Sequence, residues 1–301
     1  MRSTKSPLAR RLLRWLVGLL ALALIVMFLI MPFVFAIYAI QPARAEVGAP
    51  PEGFEAINLT TADNVTLAAW YAAPENGAAI VLVHGSGDTR DDVRAHAQML
   101  AAHGFGVLAL DLRGHGESGG DINRMGWQGT QDVAAAVRYL LAQDDVRAIG
   151  GLGLSVGGEI LLGAAGDIPA LQAVASEGAT YRSLDEFTAL PEHRMFFNTI
   201  QIRVLSFALG LISGDQPPTP ILDSIKAADD AHFLLIAAEN ETHEAPYNEV
   251  FAEAAGERAE VWVVPDAGHT QGLRRAGAEY EQRVIGFFES ALLGAPSASG
   301  A

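Results

Sequence analysis

Two hydrophobic patterns divide the chain. The first is unbroken: Trp15 to Ile40 is a run of 26 residues without a charge. As a helix it would reach about 39 Å, more than the ~30 Å hydrocarbon core of a bilayer, so it can span with some tilt. Pro32 lies inside the run and predicts a kink, which a spanning helix tolerates. Trp15 and Tyr38 stand near its two ends, where interfacial aromatic residues belong.

The second pattern is an alternation. Short apolar runs of β type fall at 54–60, 65–72, 79–84, 107–111, 148–154, 171–176, 233–238 and 261–264. Amphipathic helical patterns fall between the later ones, at 91–103, 127–142, 157–165, 247–255 and 277–293. Near-continuous apolar strands alternating with helices predict an α/β fold, a parallel sheet covered on both faces. One stretch, 179–221, breaks the rhythm. It is apolar and aromatic in its middle, ends in a proline-rich segment, and predicts a helical insertion over the sheet. The Pro-, Ala- and Gly-rich stretch 41–53 reads as a linker, and 294–301 as a frayed, disordered tail.

Charge gives the long apolar run a direction. Residues 1–44 carry six basic side chains and no acidic one, and five of the six precede the run. Positive charge on the cytoplasmic side then predicts a single-pass signal-anchor, with 1–14 in the cytoplasm and the body, 54–293, outside it. The rival reading is a cleaved signal peptide with Ala43-Arg44-Ala45 as the cleavage site, but the apolar region is much longer than the ~7–15 residues such peptides use. Residues 45–301 keep 14 of the 20 basic side chains and all 35 acidic ones, a net charge of −21. A body so acidic argues against nucleic acid as a partner. The chain has no cysteine, which excludes disulfides, thiolate catalysis and cysteine metal sites.

The chemistry-bearing residues lie at the ends of the β runs. Gly153-Leu154-Ser155-Val156-Gly157, followed by Gly158, stands between a strand and a helix. A serine on so sharp a turn holds a strained backbone, and glycines flank it because a side chain two residues away would collide. Ser155 is therefore the candidate nucleophile. His269, in the loop after the last β run, is the candidate general base. The orienting acid is expected after the run 233–238, where Glu239 and Glu241 both qualify; Glu241 is preferred. The amide of Val156, the residue after the nucleophile, is one expected oxyanion donor. The amide of Ser86, in the glycine-containing loop His84-Gly85-Ser86-Gly87-Asp88, is the other.

The order Ser–acid–His, the His84-Gly85 loop, the elbow, and Asp111-Leu112-Arg113-Gly114-His115-Gly116-Glu117-Ser118 together resemble the α/β-hydrolase superfamily. The RGHGES stretch and the short insertion resemble its monoacylglycerol lipase and serine aminopeptidase-like branch. That resemblance implies an eight-stranded, mostly parallel sheet flanked by helices, with a short helical cap after the sixth strand, here preceded by one transmembrane helix. It also implies hydrolysis without a metal or other cofactor, and structural roles for Asp111 and His115. Two departures stand at the acid: Ala238 replaces the usual glycine, and Glu241 stands where aspartate is commoner.

The expected function is hydrolysis of carboxylic esters or related small acyl compounds, and the tether and the apolar insertion point to lipid-like ones. Two alternatives remain. One is an aminopeptidase, for which Asp185, Glu186 and Glu192 are candidate holders of a free amine. The other is a membrane-tethered binding protein without catalysis, against which the intact serine, histidine and glycine framework speaks.

Overall fold

The computed structural model describes residues 7–120 and 124–294; the expected tail from 295 onward lies outside the described residues. The eight β runs form β1 (Glu55–Thr60), β2 (Thr66–Ala72), β3 (Ala78–Val83), β4 (Gly106–Leu110), β5 (Ala148–Leu154), β6 (Leu171–Glu177), β7 (His232–Ala238) and β8 (Ala259–Val264). They build one sheet in the order β1-β2-β4-β3-β5-β6-β7-β8. β2 pairs antiparallel with β1 and β4, and every other pairing is parallel. β3 and β4 are buried along their whole length. That burial explains their lack of polar alternation: helices cover both faces.

Eleven α-helices follow in chain order among the described residues. α1 (Pro7–Ile25) and α2 (Met31–Ala39) form the N-terminal apolar helix. α3 (Arg94–Ala102), α4 (Gly129–Leu141) and α5 (Val156–Ala164) follow β3, β4 and β5. α6 (Leu184–Phe187), α7 (Phe196–Ser213) and α8 (Ile221–Ala227) fill the connection between β6 and β7. α9 (Glu244–Ala255), α10 (Gly272–Ala276) and α11 (Ala278–Leu293) complete the set. One core cluster sits on the sheet face covered by α4, α5 and α9, and a second on the face covered by α3 and α11.

The N-terminal helix is continuous from Pro7 to Ala39, 33 residues, and so starts before the expected Trp15. A local irregularity precedes Pro32. Pro32 has no N–H to donate, and the turn before it, Val26–Ile30, opens into a π-helix in which the Met31 N–H reaches back to the Val26 carbonyl. Beyond the helix the expected linker does not hang free. Ala43 donates to the Gly114 carbonyl (2.8 Å) and accepts from the Gly116 amide (3.0 Å), and Arg94 holds the Ala49 carbonyl at 2.7 Å. The helix is thereby tied to the turn that follows β4.

Candidate active site

The elbow has the geometry its sequence implies. Ser155 sits at φ 52°, ψ −123°, between β5 and α5. A Cβ on Gly157 would lie 2.6 Å from the His84 carbonyl oxygen, and one on Gly153 would overlap the Gly157 backbone. The Ser155 N–H is fixed by the Glu177 carbonyl at 2.7 Å. The Ser155 side chain thus stands above the C-terminal edge of the sheet, where the loops after β3, β6, β7 and β8 converge.

His269, in the loop after β8, brings Nε2 to 2.9 Å from Ser155 Oγ. Gly178, at φ +74°, clears space for the ring: a Cβ there would lie 2.9 Å from His269 Cε1. The partner of Nδ1 is Glu244 Oε1 at 2.6 Å. Glu244 is buried at the first residue of α9, and its other oxygen accepts the Ala238 amide at 2.7 Å. Hydrogen bonding to Glu244 raises the His269 pKa above its ordinary 6.5; burial opposes this, and the negative charges of Glu244, Glu241 and Glu177 add to it.

The acid position therefore differs from the sequence expectation, and this is a correction. Glu241 is exposed and reaches only the His269 backbone N–H, at 3.4 Å. Glu239 accepts the Asp266 amide at 2.9 Å. Both carboxylates hold the histidine loop by its backbone, and neither meets the imidazole. The physical reason is the start of α9. The helix begins at Glu244 and not at Tyr247, and it brings the Glu244 carboxylate back over the end of β7. The signals were an acidic residue in a first helical turn and Pro246 two residues on, both common at helix N-termini.

The loop after β3 lies beside the serine: a Cβ on Gly85 would be 3.5 Å from Ser155 Cβ. His84 and His115 shape this loop. His84 Nδ1 donates to the Gly85 carbonyl (2.7 Å) and its Nε2 accepts the Leu112 amide (3.0 Å). Complete burial drives the His84 pKa down to about 3, so the ring is neutral and can play both parts. His115 Nε2 accepts from the Gly87 amide at 3.3 Å, and the Asp88 amide turns back to Gly85. Among the described residues the Ser86 N–H has no such partner, and Val156, first residue of α5, has an N–H that its own helix cannot satisfy. Asp111 accepts the Arg90 and Glu117 amides and the Arg90 guanidinium, which pins the RGHGES turn under the loop.

Of the three acidic candidates for binding a free amine, the two whose side chains are described, Asp185 and Glu186, do not form a shared site. Glu186 is buried and capped onto the amides of Arg182, Ser183 and Leu222. Asp185 is exposed to solvent, and the Glu192 side chain lies outside the described residues.

An imidazole between a buried carboxylate and a serine hydroxyl, beside two amides free to donate, is an arrangement for acyl transfer. The fold carrying it matches solved structures along nearly their whole length. The Pyrococcus furiosus esterase Pf2001 superposes with a TM-score of 0.68 at 22% identity, covering 84% of this chain and 99% of that one. The chain has the α/β-hydrolase fold. It is also similar to the α/β hydrolase GrgF from Penicillium sp. sh18, with a TM-score of 0.63 and 17% identity over 80% of this chain and 99% of that one. A membrane phospholipase A, described as a bacterial virulence factor, matches with a TM-score of 0.58 and 20% identity, over 94% of this chain and 99% of that one. The family model for serine aminopeptidase, S33, matches residues 74–215 of the chain. No curated protein matches it in sequence.

Proposed function

We propose that the protein is a membrane-anchored serine hydrolase that cleaves carboxylic esters of acyl lipids on the extracytoplasmic side. The observation that carries the reading is the relay Glu244–His269–Ser155, with separations of 2.6 and 2.9 Å. In the proposed reaction His269 Nε2 takes the Ser155 proton as Oγ attacks the ester carbonyl. The amides of Ser86 and Val156 donate to the oxyanion, each worth about 3 kcal/mol of barrier. Collapse expels the alcohol, protonated by His269, and leaves an acyl-enzyme. Water, deprotonated by the same nitrogen, then releases the acid and restores the serine. Glu244 accepts the Nδ1–H and holds the imidazolium.

Anchoring is supported by the N-terminal helix, which exposes Leu16, Leu19, Leu20 and other apolar side chains that no part of the body covers. The 94% coverage by a membrane phospholipase A supports it too, because residues 54–293 alone are a smaller share of the chain. The aminopeptidase reading has less support, since Glu186 is occupied by backbone amides and Asp185 faces solvent.

A panel of acyl esters and aminoacyl amides, run with wild type and Ser155→Ala in detergent, tests the reaction. Hydrolysis of esters over amides, lost in Ser155→Ala, is expected; preference for the amides contradicts the ester reading. Protease added to intact spheroplasts should reach the body, and protection until lysis contradicts the orientation.

A further inference from the structure

α7 is an anomaly in a soluble cap. In a body where acidic residues dominate, residues 195–213 carry one charge, Arg203. Phe196, Phe197, Phe207 and Leu211 are each more than half exposed. The helix is apolar and long enough to be a candidate span itself, yet its buried Ala208 and Leu209 join a cluster with Ala36 and Ile40 of the N-terminal helix, packed against Met125 and Trp127 of the body. Both of its ends return to the body, so it lies against the anchor rather than crossing on its own.

The anchor gives α7 a depth. With Trp15 at the inner edge of the hydrocarbon, Phe28 stands about 20 Å and Phe33 about 27 Å higher, both short of the outer edge at ~30 Å. Phe28 stacks on Phe197 with ring centroids 5.3 Å apart, and Phe33 meets Phe207 at 6.5 Å. Both ends of the exposed α7 face therefore fall inside the outer leaflet, while Tyr38 reaches the headgroup level. The two backbone bonds between Ala43 and the 114–116 turn hold the body to the anchor at this height.

Between the two helices runs an apolar groove of about 340 Å³, lined by Met27, Met31, Phe35, Ile202 and Leu205, with Phe187 on the side of the body. The volume lies within the ~300–1,000 Å³ of ligand sites. Phe187 stacks on His193 (4.4 Å), and His193 lies 4.9 Å from His243, the neighbour of Glu244. The groove thus opens where lipid tails are, and from its Phe187 end two successive rings, His193 and His243, lead to the residue before Glu244.

We infer that α7 lies obliquely in the outer leaflet beside the anchor and that the groove between them receives an acyl chain of a bilayer lipid directly from the membrane. The inference rests on the proposed reading of a lipid-ester hydrolase with an outward-facing body, and it adds where the substrate enters and in what state. Substrate reaches the site from the bilayer plane, without passing through water.

The absence of cysteine makes the test clean. Single nitroxide labels at Phe196→Cys, Phe207→Cys and, as an aqueous reference, Asp230→Cys are read in reconstituted vesicles for collision with oxygen and with a water-soluble nickel chelate. Labels at 196 and 207 should favour oxygen, and the label at 230 should favour nickel. Alongside, Phe196→Asp with Phe197→Asp, and separately Ile202→Trp, should lower the ratio of vesicle-resident to water-soluble ester hydrolysis about tenfold. Nickel-accessible labels at 196 and 207 in an enzyme that still cleaves the soluble ester overturn the inference alone. Labels shielded from both probes overturn it in favour of a second copy of the chain on this face. Wild type that cleaves neither ester overturns the function on which the inference rests.

Discussion

Replacing Glu244 by glutamine separates the acid found in the fold from the carboxylate nearest in sequence. Glutamine is nearly isosteric, so the bond from the Ala238 amide can persist through the side-chain oxygen. At His269 the consequence is different. An amide NH₂ facing Nδ1 turns that nitrogen into an acceptor, moves the ring proton to Nε2, and aims N–H at Ser155 where a lone pair is needed. The imidazolium formed during attack also loses its 2.6 Å charge partner. The expected loss in kcat is about 10³–10⁴-fold, or ~4–5 kcal/mol of barrier. Glu241→Gln, whose exposed carboxylate reaches only a backbone N–H at 3.4 Å, should stay within about threefold of wild type. The assay is kcat for a soluble short-chain ester against pH, in detergent, with folding checked by circular dichroism. The sign of the pH shift follows from Glu244, which raises the His269 pKa. Wild-type activity should rise through an acid limb above 6.5, and the residual activity of Glu244→Gln should have its limb at lower pH. A larger loss in Glu241→Gln than in Glu244→Gln would refute the assignment.

Three further outcomes follow from the packing. Gly157→Ala drives a methyl into the Val83 and His84 carbonyls, so it should abolish ester hydrolysis and lower the melting temperature, whereas retained activity would contradict the tight elbow. His96 is buried with no hydrogen-bond partner among the described residues, and burial takes its pKa down to about 4. Its folded pKa is below the unfolded value, so it contributes stability that is full above about 6.5 and lost as pH falls toward 4, about 3 kcal/mol in all; His96→Leu should flatten that part of a urea-unfolding profile. Arg113 joins Asp63 to the buried Asp132, and Arg113→Met should cost about 3 kcal/mol by leaving Asp132 without its ion-pair partner, measured by the same unfolding assay.

Much of the fold was legible because its signals are local. Each strand is a short apolar run between turn residues, and the elbow is a five-residue motif whose glycines are dictated by sterics. His269 could be found because it follows the last strand. Glu244 was missed because its selection is not local: it depends on where α9 starts and on how far that start folds back over β7. The docking of 41–53 was hidden for a related reason, since Ala43 bonds to residues some seventy positions away through backbone groups that carry no sequence signature. For α7 the pattern was visible but its meaning was not. An apolar helical face reads the same whether protein or lipid covers it, and the inference of a lipid-facing α7 needs its position beside the N-terminal helix, which only the fold gives.

The central claim is that Ser155 is an activated nucleophile. A fluorophosphonate reacted with the detergent-solubilised full chain, followed by peptide mass spectrometry, measures this at the residue itself. The account predicts a single adduct on Ser155, absent in Ser155→Ala and much slower in Glu244→Gln. No labelling of the folded wild type, or equal labelling of Ser155→Ala, would contradict it.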